Sequence, residues 1–179
     1  MNRQGDAVGL TLFDDQVRTV IPPRYRPGHF RRLMTTLEEP GSGVQTDPSV
    51  ALEDIARRLH KRGLVILISD LLSPVQKFGD GLRMLRGCLH DLVVFQVLDP
   101  AELTLKFDGP RLFEDLESEQ RIFADPDAIR SEYLQRLDEH NRMVREECET
   151  AGASLRLLAT DQPLELSLAE FLQARRQRR

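Results

Sequence analysis

Tryptophan is absent from this chain of 179 residues, tyrosine occurs twice, and cysteine occurs only as Cys88 and Cys148. The two thiols are far apart and neither belongs to a CxxC pair, which excludes a disulfide framework or a thiolate metal site of ordinary spacing. Both fall within helical patterns, so two buried, reduced thiols in a reducing compartment are expected. No apolar run approaches the roughly 20 residues of a membrane helix. The opening residues Met1 to Asp6 lack the apolar stretch of a secretory leader. A soluble, cytoplasmic protein is the expectation. A basic excess is also missing: the formal net charge is −4, which argues against a general nucleic-acid binder. The basic end at Arg175, Arg176, Arg178 and Arg179 reads as a solvated helix terminus complementing the helix dipole.

Catalytic signatures are missing too. His29, His60, His90 and His140 show neither HExxH nor any other metal-ligand spacing. There is no GxSxG elbow, no GxxxxGK[ST] loop and no GxGxxG after a strand. Gly41-Ser42-Gly43 is glycine-rich, but no strand directly precedes it. A hydrolase needs a nucleophile with a positioned base, and none can be assembled. The chain is therefore not expected to be an enzyme; the weaker alternative is a small α/β hydrolase using Asp70 and Asp99.

What is present suits one globular domain: 40% apolar and 30% charged residues. Ala7–Phe13 reads as a buried strand, Asp14-Asp15 as a solvated turn, and Val17–Ile21 as an edge strand closed by Pro22-Pro23. Helices are predicted over 28–38, from an Asp47 cap with Pro48 at the first position up to Gly63, and over 74–87. Leu64–Ile68 is apolar without alternation, as a strand covered on both faces should be. Leu92–Leu98 is a second buried strand, stopped at Asp99-Pro100, whose role reads as a turn. An insertion at about 103–124 carries a small hairpin around Phe107–Pro110, Phe113 and Ile122-Phe123. Asp125-Pro126 opens the longest helix, which Gly152 caps. Ser154–Ala159 is a last strand, and Asp161 precedes a closing helix over 164–174. Alternating helices and strands from residue 47 onward imply right-handed crossovers in a doubly wound, mostly parallel α/β sheet.

Chemistry points to the C-terminal lip of that sheet, where ligands gather in open α/β folds. Asp70 follows a five-residue apolar strand, where a carboxylate must be solvated, paired or metal-bound; capping the next helix is the plainer role. Ser69 could add a hydroxyl. Asp47 reads as a helix cap, which leaves Thr46 as a possible cation ligand. Ser42 and Ser73 carry no specific signal.

Several stretches resemble a known family. They are Gln4-Gly5-Asp6-Ala7-Val8-Gly9-Leu10, Arg62 through Leu71, Val94 through Leu103, Phe107-Asp108-Gly109-Pro110 with Phe113-Glu114-Asp115-Leu116, and Thr160-Asp161-Gln162-Pro163-Leu164. On these residues the chain resembles the C-terminal part of bacterial domain-of-unknown-function family fifty-eight, whose von Willebrand factor A-like domain is found beside MoxR-type AAA+ ATPases. The resemblance implies a von Willebrand-like, Rossmann-like fold and a non-enzymatic binding module that works with such an ATPase in assembling or remodelling a client protein. It also implies a metal-ion-dependent adhesion site for magnesium, with Thr46 and Asp70 as two of its ligands.

The first metal loop of that pattern, Asp-x-Ser-x-Ser, does not occur in this sequence. Its strand and most of the following helix are expected before Met1, with Gly5 as that helix's C-cap. In the implied strand order the absent member lies between Ala7–Phe13 and Leu64–Ile68. With strands about 4.8 Å apart, its loss leaves a slot of roughly 10 Å. The chain is thus expected to be a fragment, or to have the slot filled by a partner, a swapped copy or a rearranged sheet. Magnesium should bind weakly or not at all to the remaining half-site. The alternative is a metal-free structural or interaction protein using the basic end and the 103–123 insertion.

Overall fold

A computed structural model describes residues 5–39, 46–114 and 121–177. The glycine loop at 41–43, the Asp115-Leu116 pair and the basic residues Arg178 and Arg179 lie outside these residues.

Strands β1 (Val8–Phe13) and β2 (Val17–Arg24) form an antiparallel hairpin of their own. β2 runs through Pro22-Pro23 rather than stopping before them. A strand with a free edge tolerates prolines, because the missing N–H groups have no ladder to serve. Gly28, with φ of 78°, turns the chain into α1 (His29–Leu37).

Helix α2 (Pro48–Arg58) begins where the sequence says it should. The Asp47 carboxylate accepts from the Ser49 amide at 3.0 Å, and proline occupies the first turn. The helix ends at Leu59, ahead of Gly63, which sits in the connection instead.

Three parallel strands follow: β3 (Leu64–Ser69), β4 (Asp91–Leu98) and β7 (Ser154–Ala159), in the order β3-β4-β7. Helix α3 (Val75–Gly87) connects the first two. A short helix α4 (Pro100–Thr104) replaces the expected turn at Asp99-Pro100. Asp99 and Glu102 form a reciprocal capping box there. The insertion is a separate hairpin, β5 (Arg111–Glu114) and β6 (Arg121–Ala124), joined antiparallel. Phe107–Pro110 lies before it and forms no strand. Helix α5 (Pro126–Thr150), capped by Asp125, precedes β7, and α6 (Leu164–Gln177) closes the order.

The fold is therefore mixed α/β with a parallel three-stranded sheet and flanking helices. Alternate strand residues divide it into two cores. Val65, Leu67, Leu92 and Val94 pack with Leu52, Phe78, Leu82 and Val144 of α2, α3 and α5. On the opposite face, Val93 and Phe95 meet Phe171 of α6, with the Phe95 and Phe171 rings edge-to-face at 5.2 Å.

That second face corrects one expectation. β3 is not covered on both sides: Leu64, Ile66 and Ile68 are 41%, 43% and 64% exposed. Helix α6 reaches β4 and β7, leaving the β3 end of this face bare. No described strand pairs with the outer edge of β3 either. A second correction concerns the thiols. Cys148 is fully buried, whereas Cys88, in the α3 cap, is exposed. A third concerns Asp14, which is buried rather than solvated because Arg18 reaches back to it.

Candidate functional site

Asp70 stands at the C-terminal lip of β3 on a loop held from several sides. The Ser69 hydroxyl accepts from the Leu71 amide at 3.1 Å, and Asp70 Oδ1 accepts from the Leu72 amide at 3.3 Å. Leu71 has φ of 59°, a left-handed conformation uncommon for leucine, and its side chain is buried. Such a conformation persists where its surroundings dictate it.

Two contacts do so. His140 Nε2 donates to the Leu71 carbonyl at 2.7 Å from α5. Gln96 Nε2, buried in β4, donates to the Asp70 carbonyl at 3.2 Å and to Asn141 Oδ1 at 2.9 Å. The backbone at 70–71 is thus clamped to β4 and α5 while the Asp70 carboxylate itself remains exposed. Its Oδ2 accepts no hydrogen bond among the described residues.

Thr46 is half-buried immediately before the Asp47 cap of α2. This segment is tied to the hairpin, since the Asp47 amide donates to the Asp14 carbonyl at 2.9 Å. The Asp14 carboxylate in turn accepts from the Gln16 amide at 3.1 Å and from Arg18 Nε. The short 59–63 connection reverses the chain between α2 and β3.

Asp99 ends the neighbouring strand on the same rim, but its oxygens are engaged. Oδ1 accepts from the Ala101 amide at 2.8 Å, and Oδ2 accepts from the Thr160 hydroxyl at 3.0 Å. It caps a helix and joins β4 to β7. Asp161 lies in the turn before α6.

Magnesium requires near-octahedral oxygen coordination and dehydrates reluctantly. Thr46 and Asp70 offer two hard oxygens, too few to make a complete site. Among the described residues there is no cluster of three or more His, Cys, Asp or Glu side chains able to hold a metal.

Sequence reading missed Gln96, Asn141 and His140. Gln96 carried a usable signal: a lone amide inside Val93-Val94-Phe95-Gln96-Val97-Leu98 must find partners if buried. Nothing local marks His140, which lies 69 residues from the carbonyl it holds.

These features define a mixed α/β domain with a rigid acidic lip on a parallel sheet. The chain belongs to the family described as protein of unknown function DUF58, whose model matches residues 1–143. It is 28% identical over 178 residues to uncharacterized proteins of Mycobacterium tuberculosis and Mycobacterium bovis, covering 96% of this chain and 55% of each relative. An uncharacterized protein of Mycobacterium avium is 27% identical over 149 residues, covering 82% of this chain and 85% of that protein. The chain thus spans about half the length of the first two relatives. No solved structure matches. Among the described residues, no helix is long and apolar enough to cross a membrane.

Proposed function

We propose that this chain is the greater part of a von Willebrand factor A-like binding module that acts on other proteins and carries out no reaction itself. The observation that carries the reading is the state of β3. Among the described residues its outer edge is unpaired, and on its second face Leu64, Ile66 and Ile68 are exposed, leading up to the exposed Asp70. Parallel strands are ordinarily covered on both faces, and an unpaired edge is a template for another strand. A further strand placed between β1 and β3 would join the hairpin to the sheet and bring more oxygens beside Thr46 and Asp70. Relatives nearly twice as long have room for such a segment.

In this reading the completed rim holds magnesium, a carboxylate of the bound protein finishes its shell, and a MoxR-type AAA+ ATPase is the working partner. Asp70 is the ligand this chain contributes most directly, and the Gln96–His140 clamp keeps it aimed. The client remains to be identified by capture.

Two measurements test this. Calorimetric titration of magnesium into the 179-residue chain should show no micromolar binding, and tight binding would refute the incomplete cradle. With the missing strand supplied so that the rim is complete, copurification of the ATPase should depend on magnesium and be lost in Asp70→Ala. Retention in both EDTA and Asp70→Ala would favour a metal-free interaction protein instead.

A further inference from the structure

A second surface, on the hairpin side of the molecule, suggests a ligand the acidic lip does not. Two adjoining cavities of about 250 Å3 and 590 Å3 lie between β2 and α1. They share Ile21, Gly28 and Arg32, so they form one continuous groove. Arg24 and Arg26 line the first, Arg31 the second, and Arg32 both. Glu39 is the one carboxylate among the lining residues.

These four guanidinium groups make no ion pair among the described residues. Several other arginines are neutralised locally, Arg57, Arg58 and Arg136 each by a carboxylate one helical turn away; those without an ion pair among the described residues, such as Arg62, Arg145 and Arg156, are scattered and do not share one groove. In a protein of net charge −4, four arginines along one groove with no ion pair among the described residues are a local reversal of sign.

Guanidinium groups match carboxylates by paired N–H donors. The groove is larger than a free inorganic anion requires, and its floor includes the buried, apolar Ile21. A nucleic-acid strand would call for successive stacking aromatics; Tyr25 is exposed between Arg24 and Arg26, but no Phe, Tyr or Trp is among the described residues lining the cavities. We infer that the β2–α1 groove binds an acidic peptide segment of a partner protein, its carboxylates spaced along Arg24, Arg26, Arg32 and Arg31. This goes beyond the metal-dependent reading and does not depend on it.

The test uses the full chain with a fluorescein-labelled oligoglutamate, followed by anisotropy at low salt. Binding should be saturable and weaken steeply as salt rises. The double variant Arg26→Glu, Arg32→Glu should bind roughly tenfold more weakly or worse, since like charges would face each other. Arg145→Glu, the same single charge reversal as Arg26→Glu but on exposed α5, should bind like the parent. Circular dichroism establishes that the variants fold; if the double variant does not, Arg26→Glu alone decides, because residue 26 lies outside every helix and strand. Failure of the oligoglutamate to bind overturns the inference. Binding indifferent to these arginines, or equal displacement by oligothymidylate or inorganic phosphate, overturns it as well.

Discussion

Asp14 closes the tip of the hairpin through its carboxylate to Arg18 of β2, and ties the hairpin to the rest of the domain through its carbonyl, which accepts from Asp47 at the start of α2. Truncation to alanine leaves the Gln16 amide without its acceptor while Arg18 keeps its pair with Asp15, so Asp14→Ala should cost about 1–3 kcal/mol. A lower urea midpoint would report it, and Asp14→Asn should recover part of the loss by still accepting from Gln16. The cysteines separate by environment. Burial, reinforced by Glu147 and Glu149, pushes the Cys148 thiol up to about 12 from 9.0. A raised folded pKa means that stability is fully present below about 9 and declines as pH climbs toward about 12, because only the unfolded chain readily gives up the proton there. Urea titrations across this range should show the decline, and Cys148→Ala should flatten it. At pH 8, iodoacetamide should modify Cys88 and spare Cys148.

Among the elements, α2 and α3 approach most closely at a glycine. A Cβ built on Gly81 would come within 2.8 Å of the Leu52 Cβ, an atom too near the backbone to swing aside. Gly81→Ala should therefore destabilise the domain by about 1–3 kcal/mol through overpacking, seen as a lower thermal midpoint. Element identity was largely legible in the sequence wherever local chemistry decides it. Asp47-Pro48 and Asp125-Pro126 mark helix starts without reference to distant residues, and Ser154–Ala159 is bounded by Gly152 and the 160–163 turn. The acidic lip was legible for the same reason, since a carboxylate directly after an apolar strand stands out. The clamp behind it was not. Gln96 and Asn141 are 45 residues apart in sequence, and only the packing of α5 brings them together. The apolar run of β3 misled because hydrophobicity records what a strand is suited to touch, whereas the cover on one side depends on where α6 ends.

For the molecule as a whole, the bare side of β3 makes a sharp contrast testable. Ile68 faces solvent while Leu67, one residue away, is buried in the main core. Ile68→Lys should shift stability by no more than about 0.5 kcal/mol, as surface changes do. Leu67→Lys should prevent folding, because an unpaired ammonium would be buried. Chemical denaturation of the two variants checks this, and a large penalty at Ile68 would mean that something already covers the face.

Leu71 carries a further consequence. Because an imidazole on the 25-residue α5 grips its carbonyl, the acid at position 70 is geared to a long rod whose far end lies well away from the rim. A ligand leaning on that rod would re-aim the carboxylate without ever touching it.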